Sequence, residues 1–164
     1  MNESLDRLID ALRQELQQYG GLLSFFEKQQ EELMRREGDQ VLATVGLIQG
    51  QATSVQEARS HRVRCHQDLA DQLSVEPDGQ LATLLPSLPA SRRGQVQALM
   101  DENNRLLKRI QQRARQNHVL LSHSLENMTR VIQTLMGSHQ GIVYDGGGAK
   151  LLAAGGRSLY EAVG

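Results

Sequence analysis

Apolar residues return along this chain in steps of three and four, and the rhythm is sustained over three long stretches. In the first, Leu5, Leu12, Tyr19, Phe26 and Leu33 recur every seven residues, with Ile9, Leu16 and Leu23 as the interleaved row. Such steps put both rows on one side of an α-helix. The stripe breaks once, at Gln30. Ser4 offers an N-cap and Gly38 a stop, so the spacing predicts a first helix over about residues 4 to 36. The pattern resumes at Val41, Val45, Ile48, Ala52 and Val55 and returns at Leu69 and Leu73; between them Arg59, Arg62 and His66 occupy seam positions where apolar residues are expected. After Ser91, read as an N-cap, Met100, Leu107, Ala114, Leu121, Met128 and Leu135 keep strict seven-residue spacing. Their companion row is mixed: Val96, Asn103, Ile110, Asn117, Ser124, Val131.

All three prolines, Pro77, Pro86 and Pro89, fall between the second and third stretches, which leaves both free to be long helices. Residues 77–90 also hold Leu81, Leu84, Leu85 and Leu88, predicting a loop with one helical turn docked on the bundle end. A lone amphipathic helix cannot bury its own stripe, so the economical fold is all-α, a long antiparallel three-helix coiled-coil-like bundle running up-down-up. From Gly137 the period is lost, and eight of the fifteen glycines lie in 137–164. The expected organisation is a helical bundle over 1–137 and a flexible glycine-rich tail over 138–164. Leu159, Tyr160 and Val163 form an apolar island in that tail, read as a recognition motif of uncertain role.

Composition agrees with narrow helix seams: hydrophobic residues are 39% of the chain, aromatics only 3%, and Trp is absent. A formal net charge of -1 gives no general attraction to nucleic acid or anionic lipid. The run Arg105, Lys108, Arg109, Arg113, Arg115 could serve nucleic acid, yet Glu27, Glu31, Glu32 and Glu37 stand ready to neutralise it and stacking aromatics are lacking. The expectation is therefore no nucleic-acid partner. No charged-then-apolar leader opens the sequence, and no apolar run approaches the roughly 20 residues of a membrane span, so a cytoplasmic protein without direct membrane insertion is expected.

Candidate chemistry is sparse. His61 and Cys65 share a helix face with His66 adjoining, but a structural metal site needs four ligands and nothing supplies the rest, so no metal and no cofactor are expected. Gly146-Gly147-Gly148-Ala149-Lys150 departs from a phosphate loop at Ala149 and at Leu151, and follows no strand. No nucleophile or acid–base set assembles, and the chain reads as no enzyme. Two features speak of specificity instead. If the turn near Gly38 makes the second helix antiparallel to the first, Arg59 and Arg62 lie level with Glu15 and near Asn103, predicting a partly buried polar layer that fixes register. Gly20 and Gly21, costly inside a helix, suggest either a close helix approach or a tolerated kink.

The opening Leu8-Ile9-Asp10-Ala11-Leu12 through Tyr19-Gly20-Gly21-Leu22-Leu23, the Gln- and Glu-rich stretch from Glu27 to Arg36, Arg115-Gln116-Asn117 followed by Leu120-Leu121, and Tyr144-Asp145-Gly146-Gly147 after the last helix resemble the FlgN-type flagellar export chaperones. The resemblance implies a cytoplasmic chaperone of the flagellar type III secretion system that binds hook-filament junction (hook-associated) proteins and delivers them to a membrane export gate. It also implies cargo binding by the end of the last helix and the tail, with Tyr144 as the gate-docking residue. Residues 157–164 match no motif of that family. The residues themselves suit helix-in-groove capture: Leu125, Met128, Ile132, Leu135 and Met136 form the candidate cargo face, although packing within the bundle is the leading reading for Leu121, Met128 and Leu135, and Leu125, Ile132 and Met136, off the strict row, are the better binding candidates. The rivals are a self-associating coiled coil, hence a possible homo-oligomer, and a basic-helix nucleic-acid binder.

Overall fold

With no proline inside them, the long stretches form unbroken helices. A computed structural model describes residues 2–76 and 80–136: helix α1 spans Asn2–Arg35, α2 spans Gly38–Leu73 and α3 spans Ala90–Met136, with a 3-10 helix at Leu81–Ser87. The fold is an all-α bundle, and the expected turn in the 77–90 loop is this 3-10 helix. At about 1.5 Å per residue, α1 and α2 are roughly 50 Å long and α3 roughly 70 Å.

The helix ends correct three readings. Ser4 caps nothing: α1 begins at Asn2, and the buried Ser4 hydroxyl accepts a hydrogen bond from Arg7. Gly38 is not the stop but the first residue of α2; Arg36 ends α1 in the left-handed region at φ 59°. Two hydrogen bonds offset the strain there, Arg36 N–H to the Leu33 carbonyl and Glu37 N–H to the Glu32 carbonyl. Ser74, at φ 54°, closes α2 in the same way. Ser91 lies within the first turn of α3, and the carbonyl that receives the first N–H groups, from Arg92 and Arg93, belongs to Pro89.

Contacts fix the directions. Glu15 meets Arg62 and Glu32 meets Thr44, so α2 runs antiparallel to α1. Leu12 meets Asn103 and Phe26 meets Asn117, so α3 runs parallel to α1. Helix α1 lies along both partners, whereas α2 and α3 do not pack on each other among the described residues. A helix with two neighbours buries a wide arc. Leu8, Ala11 and Leu22 are therefore buried together with Glu15 and Gln29, while Leu16 and Leu33 of the expected stripe are only half-buried.

Two apolar clusters result. One gathers Leu5, Leu8, Leu12, Leu69, Leu84 and Val96 around the 3-10 helix; the other joins Tyr19, Leu22, Phe26, Ile48, Val55 and Ile110. On α3 the deeper seam is the mixed row, with Val96, Asn103, Ile110 and Asn117 buried, whereas Met100, Leu107, Ala114 and Leu121 are half-buried. Each buried asparagine donates Nδ2–H to an α1 carbonyl, Asn103 to Leu12 at 3.1 Å and Asn117 to Phe26 at 2.8 Å. Gly21 faces Gln51, whose Nε2 would lie 2.9 Å from an added Cβ and which itself donates to the Gln18 carbonyl; Gly20 faces open space.

Candidate functional site

Between the two apolar clusters lies a layer of charge. Arg62 Nε donates to Glu15 Oε2 at 2.9 Å, with side-chain exposures of 17% and 4%. Tyr19 donates its hydroxyl to Glu15 Oε1 at 3.1 Å. Burial first, and the Glu15 charge second, push the Tyr19 phenol up to about 12. Asn103 is buried beside them, and Arg59 is half-buried. All four residues of the expected layer line one groove of about 320 Å³, together with Tyr19, Asn104, Met100 and Leu107. The groove exists because α2 and α3 flank α1 without packing on each other, and helical periodicity alone gave no signal of that separation.

The candidate cargo face follows from the length of α3. Asn103–Leu12 and Asn117–Phe26 are both separated by 91 residues, an offset that sets Arg35, the last residue of α1, level with Glu126. Beyond it α3 has no α1 beside it. Val119, Met128, Val131 and Ile132 are 52%, 61%, 57% and 49% exposed, and Leu121 and Leu125 are half-buried. Met128 is 61% exposed and lies past the level where α1 ends, so among the described residues it does not pack in the α1 seam. Val119, off both seam rows, lies level with Lys28 of α1 and about half a turn round the helix from Met128, so it is not part of that face. Leu135 and Met136 end the α3 backbone, with side chains outside the described residues, as are Tyr144, Leu159, Tyr160, Val163 and the Gly146–Lys150 run.

The other candidates separate cleanly. Arg109 and Arg113 of the basic run reach Glu27 at 3.4 and 3.9 Å, and Arg105 reaches Glu102 at 2.7 Å. Glu32, expected to help neutralise that run, is instead buried and accepts from Thr44 at 3.0 Å. The Cys65 sulfur lies 3.8 Å from His61 Nε2, and burial pushes the thiol up. Among the described residues no three His, Cys, Asp or Glu side chains gather to hold a metal ion, and no helix is long and apolar enough to cross a membrane.

Fold and site together describe an all-α bundle that holds one helix beyond its partners, with apolar residues laid bare along it. The family model described as FlgN protein matches residues 1–151, and the chain belongs to this family of flagellar export chaperones. It is a chaperone family rather than one of enzymes, and its members bind flagellar hook-associated proteins. No curated protein and no solved structure matches the chain at a significant level.

Proposed function

We propose that this chain is the cytoplasmic export chaperone of a hook-filament junction protein, holding one amphipathic cargo helix against Leu125, Met128, Ile132, Leu135 and Met136. Release follows at the membrane export gate, where Tyr144 is the docking residue. The observation that carries the reading is the stretch of α3 beyond Asn117, in which no described residue is fully buried although apolar residues persist. Burying a Met or Ile side chain gains about 1.5–3 kcal/mol, so the five anchors act together to offset the cost of association and reach the roughly 8 kcal/mol of micromolar capture. The test is calorimetric titration of the chain with a purified hook-associated protein. Met128→Glu with Ile132→Glu should weaken binding by about tenfold or more while leaving the bundle's helicity intact; unchanged affinity refutes the face. Tyr144→Ala should keep the cargo and lose the purified cytoplasmic domain of the gate.

A second reading takes support from the same geometry. Leu121, Met128 and Leu135 continue a seven-residue row past the end of α1, as in a helix that pairs with a second copy. Sedimentation velocity separates the two: a monomer at micromolar concentration removes self-association, and deletion of 138–164 would leave a coiled-coil assembly unaltered.

A further inference from the structure

Neither the cargo face nor the family match accounts for the groove over the middle of α1. It encloses about 320 Å³, and its walls carry Met100 and Leu107 of α3 opposite Arg59 and Arg62 of α2. Charge does not cancel there. Both Glu15 oxygens are engaged, by the Tyr19 hydroxyl and by Arg62 Nε, and no other acid lines the groove. Arg59 makes no hydrogen bond or ion pair among the described residues. A half-buried guanidinium keeps its charge at any physiological pH and presents a rigid fork of donors that suits a carboxylate. The groove therefore calls for one acid flanked by apolar groups.

Such a segment exists in the chain itself. The family match ends at residue 151, and beyond it stands Leu159-Tyr160-Glu161-Ala162-Val163, one acid set among apolar residues. We infer that this segment occupies the α2–α3 groove, its Glu161 carboxylate on the Arg59 guanidinium and its Leu159 and Tyr160 side chains against Met100 and Leu107. Reach permits it. Thirty helical residues of α3, from Met136 back to Leu106, cover about 45 Å, whereas the chain from Gly137 to Tyr160 can extend to about 80 Å. Tethering also favours this occupant over a partner in solution, because it raises the local concentration toward the millimolar range. A charge-assisted pair holds the docked form by about ten- to a hundredfold.

The chain has no Trp, so Tyr160→Trp in the full-length protein gives a single reporter of the segment. Its emission should be shifted to shorter wavelength and shielded from iodide. Arg59→Glu or Glu161→Arg alone should abolish both effects, and the double exchange Arg59→Glu/Glu161→Arg should restore them, a recovery that loss of folding cannot mimic. Arg59→Gln, with helicity checked by circular dichroism, serves if the reversed charge unfolds the bundle. Solvent-exposed emission in the parent overturns the proposal. So does shielding that survives Arg59→Glu but is lost with Ile132→Glu, which would put the segment on the bare face of α3. Shielding that disappears on dilution would put it in a second copy, and is equally fatal. No cargo or gate is present in the measurement, so its failure leaves the export reading untouched.

Discussion

Arg62→Met separates the worth of a buried ion pair from the cost of breaking it. In the folded chain Arg62 Nε stands 2.9 Å from Glu15 Oε2, with 17% and 4% of the two side chains exposed. Unit charges at that separation attract by about 6 kcal/mol at an effective dielectric near 20, most of which offsets the cost of removing them from water. Removing one partner leaves the other charge buried, typically at a cost of about 3–5 kcal/mol; the residual exposure of Arg62 lowers the expectation here to about 2–4 kcal/mol. The nearby Arg59 could swing in to take its place, so the comparison is made in an Arg59→Gln background. Urea unfolding followed by far-ultraviolet circular dichroism reads the loss as a fall in midpoint at constant slope. Glu15→Leu combined with Arg62→Met should recover only part of it, because the buried Tyr19 hydroxyl then lacks its acceptor. Adding Tyr19→Phe should bring stability back to that of the background or above. The reasoning fails if Arg62→Met costs less than about 0.5 kcal/mol, or if the triple variant is as unstable as the single one.

Other outcomes follow from the same structure. Asn117→Ala removes donors from the Phe26 carbonyl and Gln29 Oε1, and should cost about 1–3 kcal/mol in the same urea assay. Gly20→Ala meets open space and should raise stability by about 0.5–1 kcal/mol, whereas Gly21→Ala, whose Cβ would press on Gln51, should gain little or lose; equal gains would show that Gln51 moves freely. With Tyr144 and Tyr160 changed to Phe, ultraviolet titration should find the Tyr19 phenol ionising near pH 12. Because its folded value lies above the unfolded one near 10, stability should be level below about pH 10 and fall by about 2–3 kcal/mol as pH rises through the folded value.

The residues of α1 show how far the sequence could be read. Leu5, Ile9, Leu12, Tyr19, Leu23 and Phe26 were legible as a stripe and are buried. The second seam, through Leu8, Glu15, Leu22 and Gln29, was not, because two of its four members are polar and periodicity counts apolar residues. The same bias favoured the strict apolar row of α3 over the row containing Asn103 and Asn117. In water an asparagine signals a surface; only the α1 carbonyls that receive their amides make them interior residues. Helix caps were the least legible, since Arg36 and Ser74 end their helices through backbone hydrogen bonds that name no side chain.

By itself the sequence determined the helical class, the three long segments, the turn between the last two, the family, and the level at which Glu15 meets Arg62. Those rest on spacing along one chain, which a one-dimensional pattern contains. Only the tertiary structure decided that α1 lies between its partners, that a groove opens between α2 and α3 where they flank it, and that α3 runs on past the end of α1. These depend on which neighbour covers which face and where that neighbour ends, and covering is a relation between segments that no single segment encodes.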